Sequence, residues 1–297
     1  MSPAPGGSLT GMTDALTVAT STVGDGDDLI TYDVRGDLGT GRPLFMFASP
    51  MDASGFGSLA SHFADRPVVT YDPRGAGRNP KGTGDVTPAQ HAEDLHRVIE
   101  ALGVGAVDAF GSSGGGVNLL ALCAAHPDDV RVAVAHEPAT FVGLTDSDVV
   151  LAAIDDIKST YARSGNGPAM AKFIQLVMRT EELPLDYLDQ PAPDPAMFGQ
   201  SSEDDGTRDN PLMRNMPACT AYEVDVDALA SLGDRVVIAV GAESADGAAA
   251  RGGRETARRL GLEVADFPGD HGNFFDSSYG QATGVAEAAA TLRELIS

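Results

Sequence analysis

The chain has 297 residues, 42% of them hydrophobic, and a formal net charge of −23 distributed along its length. That length and composition suit an ordinary globular protein with a sizeable core, and exclude a wholly disordered, collagen-like or disulfide-framework chain. The acidity comes with no Lys/Arg stripe and no apolar run of bilayer-spanning length, which argues against nucleic-acid, phosphate-rich and membrane partners.

The N-terminus, MSPAPGGSLTGMTDAL, has no basic region followed by an apolar core, so it does not read as a secretory signal. A cytoplasmic location is expected. Residues 1–12 read as a disordered tail, with Met12 as an alternative start. Cys123 and Cys219, in very different settings, are expected to be free thiols in a reducing compartment.

Strand-like and helix-like runs then alternate. Residues 44–48 (LFMFA) and 67–71 (PVVTY) are short continuous apolar runs of the kind found in strands covered on both faces. Residues 107–110, 130–135, 235–240 and 262–267 continue the series. Between them, TPAQHAEDLHRVIEALG carries helix punctuation: Thr87 caps, Pro88 suits the first turn, Gln90 completes a capping box and Gly103 suits the stop. Ala92, Leu95, Ile99 and Leu102 fall on one stripe. Such alternation predicts a mainly parallel sheet with helices on both sides.

Residues 141–227 break the pattern, with helical periodicity but no buried strand. Val150, Ile154, Ile157 and Tyr161 share a face, as do Met170, Phe173, Ile174, Val177 and Met178, a ridge read as core. The Pro- and Asp-rich residues 181–215 read as loop. The expected organisation is a core over 13–140 and 228–297 with a helical insert over 141–227.

The most informative stretch is VDAFGSSGGGVNLLALCAAHP, residues 107–127. Gly111-Ser112-Ser113-Gly114-Gly115 matches G-x-S-x-G between a strand and a helix, the context that this motif requires. A sharp strand-to-helix turn strains its central residue and leaves little room for neighbouring side chains, which explains the glycines. Ser113 is then presented at the carboxyl end of the sheet, where open α/β folds place ligands. Ser112 reads as a spacer.

With this elbow, the VVTYDPRGAGRN turn, HEP after the next strand and FPGDHGNF near the end, the chain resembles the α/β-hydrolase superfamily, specifically its capped members. The resemblance spans roughly residue 29 to the C-terminus. It implies a mainly parallel eight-stranded sheet, helices on both faces, and a helical lid made by the insert.

The resemblance further implies Ser113 as nucleophile and His271, after the last strand, as its base. The third member departs from the family pattern: where an aspartate is common, GAES has Ser244. Glu137, at the end of the strand after the nucleophile, is the preferred acid, as in haloalkane dehalogenases; Glu243 is the alternative, with Asp246 beside it. Gly114 and Ser49 are the expected oxyanion donors. Phe47-Ala48 replaces the family's His-Gly there, Pro50 has no N–H, and Met51 is the fallback. Arg74 of the Asp72-Pro73-Arg74-Gly75 turn is expected to pair with a carboxylate in a structural role.

The other histidines carry less. His91 and His96 are five apart, on different faces of their helix, which argues against a joint metal site; His62, His126 and His136 read as surface residues at element ends. Neither a phosphate loop nor a His-Glu-x-x-His motif is present, and no cofactor or metal is expected. A serine elbow without any Trp turns the expectation from carbon–halogen or epoxide cleavage to acyl transfer. The expected function is a serine hydrolase acting through an acyl-enzyme on an ester, lactone or thioester of a small, mostly apolar, neutral or cationic molecule. Carbon–carbon hydrolysis or acyl transfer on the same triad, and a non-catalytic small-molecule binding protein, are the alternatives.

Overall fold

A computed structural model describes residues 17–82, 84–276 and 282–297; the tail expected over 1–12 lies outside them. The strands are β1 (Val18–Val23), β2 (Ile30–Arg35), β3 (Leu44–Ser49), β4 (Val68–Tyr71), β5 (Val107–Ser113), β6 (Val130–His136), β7 (Val236–Gly241) and β8 (Val264–Phe267). The α-helices are α1 (Gly57–Ser61), α2 (Pro88–Leu102), α3 (Gly114–Ala125), α4 (Ser147–Ser164), α5 (Asn166–Val177), α6 (Pro211–Thr220), α7 (Val226–Ala230), α8 (Ala248–Leu260) and α9 (Val285–Leu295).

The strands form one eight-stranded sheet in the order β1-β2-β4-β3-β5-β6-β7-β8. From β4 to β8 all neighbours are parallel, while β2 pairs antiparallel with both β1 and β4. Side-chain alternation assigns the faces. In β3, Phe45 and Phe47 join the apolar cluster under α2, α3 and α8, whereas Leu44, Met46 and Ala48 join the cluster under α1 and α9. A strand with period two and apolar residues on both sides has to be covered on both faces, as it is here. Each fully buried Phe or Leu contributes about 1.5–3 kcal/mol by leaving water.

The punctuation of α2 forms as read. Thr87 Oγ1 accepts the Gln90 N–H at 3.2 Å, Gln90 Oε1 accepts the Thr87 N–H at 3.0 Å, and Gly103 closes the helix at φ 65°. Two strands lie outside the six apolar runs. β2 (ITYDVR) and β1 (VATSTV) are rich in polar residues, and β1 is an exposed edge, so neither carries a continuous apolar signal.

The segment between β6 and β7 is helical, and α4, α5 and α6 share a core of their own that includes Val150, Ile154, Ile157, Tyr161, Leu176 and Met216. Two expectations are corrected here. The Met–Phe ridge of α5 is core only in part: Met170 and Phe173 are half-buried against this cluster, while Val177 and Met178 are 49% and 68% exposed, and Phe173 and Val177 border a cavity. The loop read over 181–215 ends early, since α6 begins at Pro211 with Asn210 capping the Leu212 N–H at 2.9 Å. Among the described residues, no helix is long and apolar enough to cross a membrane.

Candidate active site

Sheet register alone brings the sequence candidates together. Ser49 at the end of β3 pairs with Ser113 at the end of β5, Ser112 pairs with His136 at the end of β6, His136 with Ala239 of β7, and Gly241 with Phe267 of β8. The carboxyl ends of β3, β5, β6, β7 and β8 therefore form one edge. Residues that follow them meet there, whatever their separation in sequence.

Ser113 stands at φ 57°, ψ −126°, a backbone region that L-residues avoid, between β5 and the first turn of α3. The composition of the bend follows from contact distances. A Cβ on Gly111 would lie 2.5 Å from the Gly115 carbonyl oxygen, and one on Gly115 would lie 2.6 Å from Cα of Ala48. Both positions need the missing side chain so that α3 can pack directly on β3 and β5.

Glu137, immediately after β6, carries the other half of the arrangement. Its Oε2 lies 2.5 Å from Nδ1 of His271 and its Oε1 accepts the Gly241 N–H at 2.9 Å. The carboxylate is 1% exposed, the imidazole 42%. Burial pushes the Glu137 pKa up, but the hydrogen bond and charge of His271, with His136 nearby, outweigh it and hold the carboxyl down at about 2. At the position where the family commonly has aspartate, Ser244 presents only a small hydroxyl. A Cβ on Gly241 would meet Ser244 Oγ at 2.5 Å and Glu137 Oε1 at 3.1 Å, so the two side chains share one crowded corner. The short serine leaves that corner to Glu137.

The other acids go elsewhere. Glu243 is exposed at the cavity wall with no bond to His271, its backbone N–H taken by the Gly269 carbonyl at 2.9 Å. Asp246 pairs with Arg254 at 3.1 Å.

His136 corrects the surface assignment. It is fully buried, its ring within 6.1 Å of Phe110, Phe267, Phe274 and His271, because Phe274 and the residues after β8 fold over the end of β6. Its Nδ1 meets Ser112 Oγ at 3.0 Å, and desolvation drives its pKa down to about 3, so the ring is neutral. Sequence pattern alone gave no sign of this residue, which sits at the end of an apolar strand next to Glu137.

A cavity of about 820 Å³ joins these groups, a volume within the usual range for small-molecule sites. Ser49, Pro50, Ser113, Gly114, Glu137 and His271 line its floor, and Phe173, Leu176 and Val177 of α5 with Leu212, Met216 and Cys219 of α6 line it from the helical insert. Among the described residues, Ser113 and His271 border this space without a direct hydrogen bond between their side chains. Met51 is not part of the wall; its side chain lies against Gly55, where a Cβ would overlap the sulfur. The loop that carries it is braced from below: buried Asp72 accepts the Ala53 N–H at 3.1 Å and pairs with Arg78 at 2.7 Å. Arg74 pairs with Asp94 at 2.6 Å, the structural role expected of it.

The family model for the alpha/beta hydrolase fold matches residues 49–275, which hold every one of these groups. The chain belongs to that family. Among curated proteins it is 35% identical over 114 residues to the hydrolase YraK of Bacillus subtilis (strain 168), a match covering 37% of this chain and 41% of that one. It thus spans about two fifths of the length of the curated relatives it matches. Among solved structures, an esterase from Thermogutta terrifontis is similar with a TM-score of 0.66 at 16% identity, over 94% of this chain and 98% of that one. An enol-lactonase from Burkholderia xenovorans LB400 is similar with a TM-score of 0.62 at 16% identity, over 90% and 95%. At such identities the two structures bear on the alpha/beta hydrolase fold alone.

Proposed function

We propose that this alpha/beta hydrolase is a serine hydrolase that cleaves an ester, lactone or thioester of a small, mostly apolar molecule through an acyl-enzyme. The observation that carries the proposal is the strained Ser113 sharing one cavity with a His271 ring whose Nδ1 is held by Glu137.

With Nδ1–H donating to an ionised Glu137, the lone pair of Nε2 is free to take the Ser113 proton as the hydroxyl oxygen attacks the substrate carbonyl. The oxyanion that forms is met by the N–H of Gly114, one of the unpaired donors of the first turn of α3, and by the N–H of Ser49. His271 then returns its proton to the leaving oxygen or sulfur. Water, deprotonated by the same ring, releases the acid and restores Ser113.

The helical insert acts as the lid of the site, since apolar side chains of α5 and α6 supply the upper wall. A binding protein that has lost its acid is the weaker reading, because the Glu137–His271 pair supplies the acid that Ser244 does not. The two buried free thiols support a reducing, cytoplasmic setting.

The test is turnover of chromogenic short-chain esters by the wild-type chain and by Ser113→Ala. Hydrolysis that disappears in the variant, with unchanged circular dichroism, supports the proposal; equal hydrolysis in both rules out Ser113 as nucleophile.

A further inference from the structure

At the other end of the sheet, before β6 begins, four side chains from two elements come together. Glu93 and His96 lie one turn apart on α2; His126 and Asp129 lie in the turn between α3 and β6. That turn is rigid: the Asp129 N–H bonds the His126 carbonyl at 3.1 Å, and the Asp129 carbonyl accepts the Val107 N–H at 2.9 Å. The His96 and His126 rings stack 3.8 Å apart, with His96 Nδ1 2.7 Å from Asp129 Oδ2 and His126 Nε2 2.8 Å from Glu93 Oε1. We propose that His96, His126 and Asp129, with Glu93 beside them, bind one divalent transition metal ion, Zn2+.

Donor chemistry and distances support this. His96, His126 and Asp129 each offer a ligand atom, all within 4.8 Å of one another, whereas ligands at zinc bond lengths of about 2.0–2.2 Å in a tetrahedron lie roughly 3.4 Å apart. The stacked rings do not point their in-plane lone pairs at one spot, so one imidazole turns about χ2 on binding; His126, 23% exposed at the end of its helix, has the room. Asp129 and the neighbouring Glu93 place negative charge beside the two rings, and Glu100 Oε2 lies 3.5 Å from His96 Nε2. Two nitrogen donors disfavour Ca2+ and Mg2+, which take oxygen. The bound ion would tie α2 to the turn entering β6, far from Ser113. The expectation of no metal site weighed the pair His91 and His96 and the lack of a His-Glu-x-x-His motif; His91 is turned away, buried against Asn215.

The test is calorimetric titration of the EDTA-stripped full chain with Zn2+, paired with thermal melts. The inference predicts one ion per chain bound more tightly than about 100 µM, weakened at least about ten-fold in His96→Gln and in His126→Gln. Binding is retained in His62→Ala and His271→Ala. At one fixed Zn2+ concentration Tm rises by about 5 °C in the wild type and by clearly less in both glutamine variants. Should His96→Gln fail to fold, the partly exposed His126→Gln decides alone. Absence of saturable binding below about 100 µM, equal binding by His126→Gln, or loss of binding in His271→Ala would each overturn it.

Discussion

Glu137 Oε2 and His271 Nδ1 stand 2.5 Å apart, although 134 residues of sequence separate them. The other oxygen of the same carboxylate is taken by the Gly241 N–H, so the acid is fixed at both ends and fixes in turn which ring nitrogen carries the proton. Glu137→Gln keeps the shape but presents either an N–H or a neutral oxygen to Nδ1. It is expected to lower kcat by about 10²–10⁴ with a smaller change in KM, by analogy with neutralising a triad acid. Glu243→Gln is expected to stay within about two-fold. Steady-state ester hydrolysis by the two variants checks the assignment, and a reversed order would move the acid to Glu243.

The depressed Glu137 pKa has a consequence for stability against pH. Its folded value of about 2 lies below the ordinary glutamate value of 4.5, so the unfolded chain binds this proton more readily as pH falls. The stabilisation is fully present above about pH 4.5 and is lost between there and about pH 2. At about 1.4 kcal/mol per unit, it is worth up to about 3 kcal/mol at neutral pH. Urea unfolding of wild type and Glu137→Gln should show a gap at pH 7 that narrows below pH 4.5. A gap independent of pH would mean that the carboxylate is not held ionised by its partners.

Ser113 trades stability for position. A non-glycine residue at φ 57°, ψ −126° costs on the order of 1–3 kcal/mol, and glycine at that point is offset by its larger unfolded-state entropy of about 0.5–1 kcal/mol. Ser113→Gly is therefore expected to stabilise the fold by about 1 kcal/mol while hydrolysis falls by at least about 10³, and Ser113→Ala to lose hydrolysis without that gain. Chemical denaturation of the two variants in parallel measures the difference.

How far the sequence carried depended on whether a signal was local. The elbow, the capping box of α2 and the central strands are short stretches whose composition is dictated by their own backbone, and each stands where it was read. Glu137 was legible only as one of three acids, because the choice between them is made by Ser244 and Gly241 across the sheet. β1 escaped the pattern because an exposed edge strand needs no apolar run, and β2 because its buried polar residues Thr31 and Asp33 interrupt its apolar ones. The end of the Met–Phe ridge of α5 was misplaced because periodicity gives the direction of a face and not what lies opposite it, here a cavity and solvent. His136 and the His96–His126 stack were hidden for the same reason: burial and pairing were set by elements distant in sequence.

The most direct measurement is the stoichiometry and site of reaction with a serine-directed phosphonate, read by intact mass and peptide mapping alongside residual ester hydrolysis. One adduct per chain is expected, on the peptide carrying Ser113, formed in step with the loss of activity, slowed in His271→Ala and absent in Ser113→Ala. Hydrolysis that survives full labelling of Ser113, or an adduct that maps to another residue, would contradict it.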